Sequence, residues 1–432
     1  MDENSFTRRN GATVKMLLIG LLALLLLIPI AMVKSLIVER QQRQNEVIEE
    51  IGAKWGQAQH LTGPILVLPY TDYIQDNKGN RHASHQNAYL LPQRLEVEAR
   101  VEPQVRYRGI YQSVVYETRV SLSGRFDPAL LKQVLGQHNN LEPGRAMLAL
   151  GLGDLKGIRE LSKARLGSSA LEMSPVSFDA GLDRAIAAPV DVNAKLDFQF
   201  ELTLRGSERL YLAPSGKETR LTVSSPWATP SFEGAYLPSE RRVGKDGFEA
   251  QWQVLHFNRS FPQFWLSNQY SHHADDFGVA FLVAADPYQQ IHRVAKYGLM
   301  FIGLTFVAFF FSEVTSGRKV HPLQYLLVGL SLCVFYTLLL AISEHSSFAL
   351  AYGLSSLATV LLIAGYAKAA LASGRLAGLV GAMLAILYGY LYIILQLEDY
   401  ALLMGALGLF GVLAAVMYLT RRIDWYALEL NG

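Results

Sequence analysis

Residues 16–33, MLLIGLLALLLLIPIAMV, decide how this chain is read. The run carries no charge and is closed by Lys15 on one side and Lys34 on the other. A bilayer core of roughly 30 Å takes about 20 apolar helical residues, so the run is long enough to cross one. It is longer than the apolar stretch of a secretory leader, and Met32-Val33-Lys34-Ser35 has no small-x-small cleavage pattern. The expectation is an uncleaved signal anchor. Pro29 lies near its far end, where neighbouring helices make a kink tolerable.

Five more runs of the same kind follow: 297–314, 323–342, 347–367, 376–397 and 400–420. They explain why the chain averages only 51% hydrophobic and 18% charged over 432 residues: the apolar residues are concentrated rather than spread. The basic and acidic totals give 39 − 37 = +2, which carries no nucleic-acid or polyanion bias. One cysteine, Cys333, excludes a disulfide framework and any CxxC zinc or redox motif.

The short loops set an orientation. Arg318 and Lys319 follow the second run, Lys368 and Arg375 the fourth, and Arg421 and Arg422 the sixth. The loops after the third and fifth runs hold Glu344 with His345, and Glu398 with Asp399. Basic residues mark the cytoplasmic side, so both termini are expected in the cytoplasm and the long insert outside it. The resulting division is a tail at 1–15, an anchor at 16–33, an extracytoplasmic region at 34–295, five spans at 296–420 and a tail at 421–432. The cytoplasmic pieces are too short for a catalytic domain.

Within the insert, residues 35–55 read as a polar helical stalk continuing the first span. Beyond it the period is two. Leu196, Phe198, Phe200, Leu202 and Leu204 alternate with Asp197, Gln199, Glu201, Thr203 and Arg205, the mark of a strand with one buried and one wet face. From Ile110 to Leu122 a similar pattern holds, and further strands are expected near 146–150, 221–224, 248–257 and 277–284. Ser215-Gly216 reads as the turn of a hairpin between 210–212 and 221–223. Two helices are expected: one capped by Asp127 with Pro128 at its first position and Gly136 after its end, the other over 154–165. The fold class is therefore an α+β membrane protein. It has one N-terminal transmembrane helix, a β-rich, sandwich-like extracytoplasmic domain with two lobes joining near 140–190, and a C-terminal bundle of five transmembrane helices.

Several strings resemble the CreD family of bacterial inner-membrane proteins. They are Leu27-Ile28-Pro29-Ile30 with Ile37-Val38-Glu39-Arg40, then Thr62-Gly63-Pro64-Ile65, then Ser224-Ser225-Pro226-Trp227 with Pro230-Ser231-Phe232. Phe257-Asn258-Arg259-Ser260-Phe261-Pro262, Lys296-Tyr297-Gly298, the run from His321 to Gly329, Ser343-Glu344-His345 and the run from Thr420 to Tyr426 complete the set. Ala284-Ala285-Asp286-Pro287-Tyr288 departs from the Pro-Val-Asp expected there. The resemblance implies an inner-membrane role in cell-envelope integrity, and it supplies no catalytic residues.

The residues themselves offer few chemical handles. Gly151-Leu152-Gly153-Asp154-Leu155-Lys156-Gly157 places its third glycine one residue too late for a dinucleotide fingerprint. There is no GxSxG, HExxH or Walker A string. His272-His273-Ala274-Asp275-Asp276 is the most metal-like stretch, but adjacent histidines on a strand point to opposite faces, and a solvated loop is the expectation. No cofactor and no metal are assigned. Ionisable residues in spans are functional candidates because charge in hydrocarbon is costly. Here they sit at span ends: Glu313 and His321 at one, Glu344, His345, Glu398 and Asp399 at the other. His321 and His345 are 345 − 321 = 24 residues apart, roughly 36 Å along a helix, so they belong to separate sites. Gly374, Gly378, Gly381, Ala385 and Gly389, with Gly405, Gly408 and Gly411, are expected to let helices pack closely.

The expected function is a non-enzymatic binding or bracing surface on the extracytoplasmic domain. Its partners are the lipid bilayer and another envelope protein or lipid component, with no nucleic acid. The alternative is a small-molecule or lipid transporter built on the C-terminal bundle; a periplasmic hydrolase comes third.

Overall fold

The computed structural model describes residues 11–75, 81–179, 181–267, 269–270, 275–281, 287–316, 320–397 and 400–421. Glu398, Asp399, His272, His273, Arg318, Lys319 and most of both tails lie outside the described residues. By their contacts the residues fall into two units, Gln44–Ala284 and Met1–Arg43 with Ala285–Gly432.

The chain begins with α1 (Gly11–Leu25) and α2 (Leu27–Trp55). The interruption at Leu26 follows from Pro29, which has no N–H to return to the carbonyl four residues back. Helix resumes at once, with Ile30 N–H donating to the Leu26 carbonyl at 3.3 Å. The polar stretch after Lys34 stays helical up to Trp55, as the stalk reading has it.

The strands of the second unit begin with β1 (Gln59–Gln75), β2 (Arg81–Leu90), β3 (Arg94–Arg108) and β4 (Tyr111–Arg125). Helix α3 (Pro128–Gln137) follows, its first turn capped by Asp127, which accepts from Ala129 N–H. Next come β5 (Met147–Gly151), β6 (Ile158–Leu166), β7 (Ser169–Ala170), β8 (Ser174–Val176) and β9 (Ala185–Pro189). The last group is β10 (Asp197–Ser207), β11 (Arg209–Leu212), β12 (Glu218–Ser225), β13 (Pro230–Gly234), β14 (Glu240–Gly244), β15 (Gly247–Leu255), β16 (Phe264–Leu266) and β17 (Phe277–Phe281).

Among the described residues these strands make two sheets. One has the order β14-β15-β12-β3-β4-β10-β6-β7. The other runs β13-β17-β11-β1-β5-β9-β8, with β2 on β1 and β16 on β2. Leu202, Leu204, Leu122 and Val97 from the first sheet join Leu66, Leu68, Leu148 and Leu210 from the second in one apolar core. The second sheet is covered on its other face too, where Ile65, Val67, Tyr89, Leu182, Phe261 and Trp265 cluster. That double burial explains why β1 reads as a continuous apolar run, Ile65-Leu66-Val67-Leu68, instead of an alternating one.

Three local expectations are corrected. Ser215-Gly216 does not close a hairpin: β11 pairs with β1 and β17 in one sheet, while β12 pairs with β3 and β15 in the other. The segment is a crossover between sheets, held by Gly63 N–H donating to Ser215 Oγ at 3.1 Å. Residues 154–165 form a single 3-10 turn and then β6, because seven of its residues find partners along β10 and tertiary pairing overrides the helical spacing. Nor does 140–190 separate two lobes, since β5 and β9 lie in one sheet and β6 in the other, around a shared core.

The other unit continues with α4 (Pro287–Lys296), α5 (Gly298–Ser316), α6 (Pro322–Ser343), α7 (Phe348–Leu371), α8 (Gly374–Gln396) and α9 (Ala401–Thr420). Helices α6, α7 and α8, and the one over Lys15–Trp55, are each long and apolar enough to cross a membrane, and α9 is a further helix of 20 mostly apolar residues. Helices α4 and α5 are long and apolar enough to cross only when taken together, and they are bent by 45° around Tyr297. Helix α4 escaped the sequence reading, because its inward residues Tyr288, Ile291, Val294 and Ala295 are diluted by Gln289, Gln290, His292 and Arg293. The first span packs against the other helices: its Leu26 and Ile30 lie among Ile302, Phe306, Val328, Leu332 and Cys333.

Candidate functional site

In the β-rich unit a cavity of about 740 Å³ opens between strand ends. His60 and Thr62 come from β1, Tyr211 from β11, Asp276 from the approach to β17, and Gly153, Asp183 and Arg184 from loops flanking β5 and β9. Register brings the first pair together: His60 stands opposite Tyr211 in the parallel β1–β11 ladder, their rings edge to face at 5.2 Å. His60 Nδ1 lies 3.1 Å from Asp276 Oδ2, and Asp276 is buried. Tyr211 donates to Glu233 Oε2 at 2.6 Å. Burial, with that carboxylate beside it, keeps the Tyr211 phenol protonated far above its ordinary range. Arg184 Nη1 donates to the Gly153 carbonyl at 2.7 Å. A second cavity of about 340 Å³ shares His60, Gly153 and Arg184 with the first and adds Glu49, Gln57, Ser207 and Glu208.

The walls thus carry four carboxylates, Glu49, Asp183, Glu208 and Asp276, against one guanidinium and one imidazole. Such a surface offers hydrogen-bond donors and acceptors to a polar ligand. Sequence reasoning missed it because its residues are scattered from Glu49 to Asp276 and no local pattern joins them. The nearest signal was Asp276, at the end of the string read as a solvated loop. Its neighbour Asp275 accepts from Ser260 N–H at 2.7 Å and Ser260 Oγ at 2.6 Å. Among the described residues no group of three His, Cys, Asp or Glu is placed to hold a metal ion.

The polar residues singled out in the spans fall into two places. At one end of the bundle, Glu313 is buried; Lys15 donates to it and, at 2.8 Å, to the Val320 carbonyl. Tyr325 donates to the other Glu313 oxygen at 2.9 Å. His321 is next in sequence to Val320 but does different work. It caps α6, accepting from Leu323 N–H at 3.2 Å, while Gln324 reaches back to its N–H at 2.9 Å. At the other end Glu344 accepts from Tyr288 at 3.3 Å and lies 3.7 Å from Arg40 Nε. His345 beside it is exposed. Both ion pairs therefore join the first span to the bundle.

The glycine stripe is largely corrected. A Cβ built on Gly374, Gly378, Gly389 or Gly411 would meet no heavy atom within 4 Å, so these positions are not close approaches. Gly381 faces Ala364, Gly405 comes within 3.8 Å of Tyr297, and Gly408 lies against the Tyr390 ring. The tightest helix contact is one the spacing argument overlooked: Gly329 on α6, where a Cβ would stand 2.1 Å from Leu26. A lone glycine opposite a leucine on a distant helix leaves no periodic trace.

A family model described as Inner membrane protein CreD matches residues 11–426. The chain belongs to the CreD family. It is 32% identical over 419 residues to the Inner membrane protein CreD of Escherichia coli (strain K12), an overlap of 94% of this chain and 92% of that protein. It is accordingly a multi-pass inner-membrane protein. Three of the strings that carry the CreD resemblance are joints of the fold. Gly63 holds the sheet crossover through Ser215, and His321 to Gln324 is a helix cap. In Phe257 to Pro262, Arg259 is buried and donates to the Pro214 and Ser215 carbonyls at 3.0 Å each. Burial pushes its guanidinium down to about 10. Gln263, another Arg259 partner, donates onward to the Leu91 and Pro92 carbonyls.

Proposed function

We propose that this CreD-family chain maintains the cell envelope by binding another envelope component, non-enzymatically, through the polar cavity of its β-rich unit, which lies on the periplasmic side of the inner membrane. The cavity around His60, Arg184 and Asp276 is the observation that carries this reading. It is a polar recess on a two-sheet scaffold, lined by Asp183 and Asp276 with Arg184 and His60, and the chain leads into helices before Gln44 and after Ala284. Short-loop charges argue for the periplasmic side and for cytoplasmic termini. Strands β1 and β11 fix His60, Thr62 and Tyr211 in register, so this part of the wall needs no ordering on binding.

In-cell photocrosslinking from a reactive residue at Ala235, on the cavity wall, tests the reading. Adducts that disappear in a His60→Ala, Arg184→Ala variant support it; adducts unchanged by that variant contradict it. An enzymatic reporter inserted at Gly244 that is active only in the cytosol contradicts the orientation.

The break at Tyr297 favours one second reading, transport through the bundle, because discontinuous spans often surround transported solutes. That reading expects Glu313→Gln and Glu344→Gln to abolish function at normal protein levels while the cavity variant retains it.

A further inference from the structure

Within the membrane unit a groove of about 520 Å³ runs between α2 and α6. Of the residues that line it, Val33 and Cys333 are buried, whereas Met32 and Val334 stay 67% and 52% exposed. The groove therefore opens away from the neighbouring helices, toward whatever surrounds the bundle.

Polarity changes along its length. Pro29, Leu330 and Cys333 belong to the apolar stretches of the two helices, while Ser35, Glu39 and Thr337 line the other part. Glu39 comes after Lys34, which closes the apolar run of the first span. Its neighbour Arg40 lies 3.7 Å from Glu344, the residue that follows α6, so both helices turn polar at the same level. From Pro29 to Glu39 the chain rises 39 − 29 = 10 residues, about 15 Å of helix. One part of the groove is hydrocarbon in character; the other carries two hydroxyls and a carboxylate.

That gradient is the polarity profile of a bilayer lipid, and the membrane around an inner-membrane chain supplies one. A partner helix fits less well. Membrane helices meet through small residues that let their backbones approach. Among the described residues neither glycine nor alanine lines this groove, and Met32, Leu36 and Leu330 would hold a second backbone off. A flexible acyl chain needs no such approach, and the groove has the size of a small-molecule site, about 300–1,000 Å³. Charge narrows the headgroup. Glu39 is the one charged residue among the described residues of the lining, and the adjacent guanidinium of Arg40 is drawn to Glu344. An ammonium group is attracted to that carboxylate and a purely anionic headgroup is repelled.

We propose that this groove is a phospholipid site: one acyl chain lies between α2 and α6, and an ammonium-bearing headgroup is seated against Glu39. The lipid fills the seam between the first span and the bundle, whose ends are held by the Lys15–Glu313 and Arg40–Glu344 pairs. The site does not rest on the periplasmic binding reading.

Photolabelling of the full chain tests it, in nanodiscs of mixed phosphatidylethanolamine and phosphatidylglycerol. A trace of either lipid carries a diazirine on its acyl chain, and the labelled residues are mapped by mass spectrometry. With the phosphatidylethanolamine probe, Met32 and Val334 should be labelled several-fold more than Leu361 on α7, which is 63% exposed and has only passing lipid beside it. The phosphatidylglycerol probe should label the groove several-fold less. Groove labelling no higher than that of Leu361 would mean passing lipid only and would overturn the proposal; equal labelling by the two probes would overturn the seat at Glu39. Two variants sharpen the result. Glu39→Gln should erase the difference between the probes, and Val334→Trp, which fills the groove, should bring Met32 down to the level of Leu361. A groove label that survives Val334→Trp in a correctly inserted chain would also overturn it.

Discussion

The β-rich unit and the membrane unit solve the problem of buried polarity in opposite ways. In the β-rich unit, backbone groups pair along two ladders, the shared core is apolar, and charge is gathered at the rim of a cavity. In the membrane unit the helices satisfy their own backbones, and polarity enters through side chains: an ion pair at each end and neutral hydroxyls between. In the proposed reading the β-rich unit offers its charges to a ligand, whereas the membrane unit uses its charges to hold its own first helix. The same residue types do different work because one set lines an open cavity and the other faces partners on neighbouring helices.

The largest effect is expected at Glu313. Glu313→Ala leaves Lys15 and the Tyr325 hydroxyl facing an apolar interior, and breaking such a pair from one side costs about 3 kcal/mol. The Lys15→Met, Glu313→Leu double variant should recover most of that loss. Thermal unfolding of the full chain in detergent checks both; a double variant as unstable as the single would show that the pair is not what tethers the first span.

Arg259 is the β-rich unit's counterpart, a buried cation whose partners are carbonyls and one amide. Arg259→Met should cost about 2–3 kcal/mol by loosening the crossover at Pro214 and Ser215. Tryptophan fluorescence during urea unfolding reports it, since Trp55, Trp227, Trp252 and Trp265 lie in that unit.

Packing comes next. Gly329→Leu should lower stability by about 1–3 kcal/mol through overpacking against Leu26, while Gly378→Leu should be nearly neutral. Equal effects would mean that the first span does not pack there. The smallest effect is acid-dependent. Arg145 and Thr71 hydrogen bonds hold Glu142 below its ordinary value of 4.5. A carboxylate depressed on folding stabilises the fold above its unfolded value, and that support is lost as pH falls through the lower folded one. Glu142→Gln should lower stability slightly at neutral pH and leave it unchanged in strong acid, so that the acid limb of a stability–pH curve is flatter.

How much of this was legible in the sequence depends on whether the signal was periodic. Runs of apolar residues gave the spans, and alternation gave β10 and the second half of β4. In both cases the environment repeats along the chain. Tertiary decisions left no such trace. Ser215-Gly216 has turn chemistry, but whether it closes a hairpin or crosses between sheets depends on β1 and Arg259, far away in sequence. Glu313 was marked as a span-end charge and Lys15 as a mere boundary; only packing of the first span makes them partners. The cavity was illegible for the same reason, since His60, Arg184 and Asp276 converge through register and loop placement rather than spacing.

The central claim is that the cavity of the β-rich unit does the work and that the bundle anchors it. Its most direct test is envelope leakage of a periplasmic marker in cells that carry only a His60→Ala, Arg184→Ala, Asp276→Asn chain, made at normal level and correctly inserted. The account predicts leakage as severe as in cells lacking the chain. A sealed envelope with that variant would contradict it.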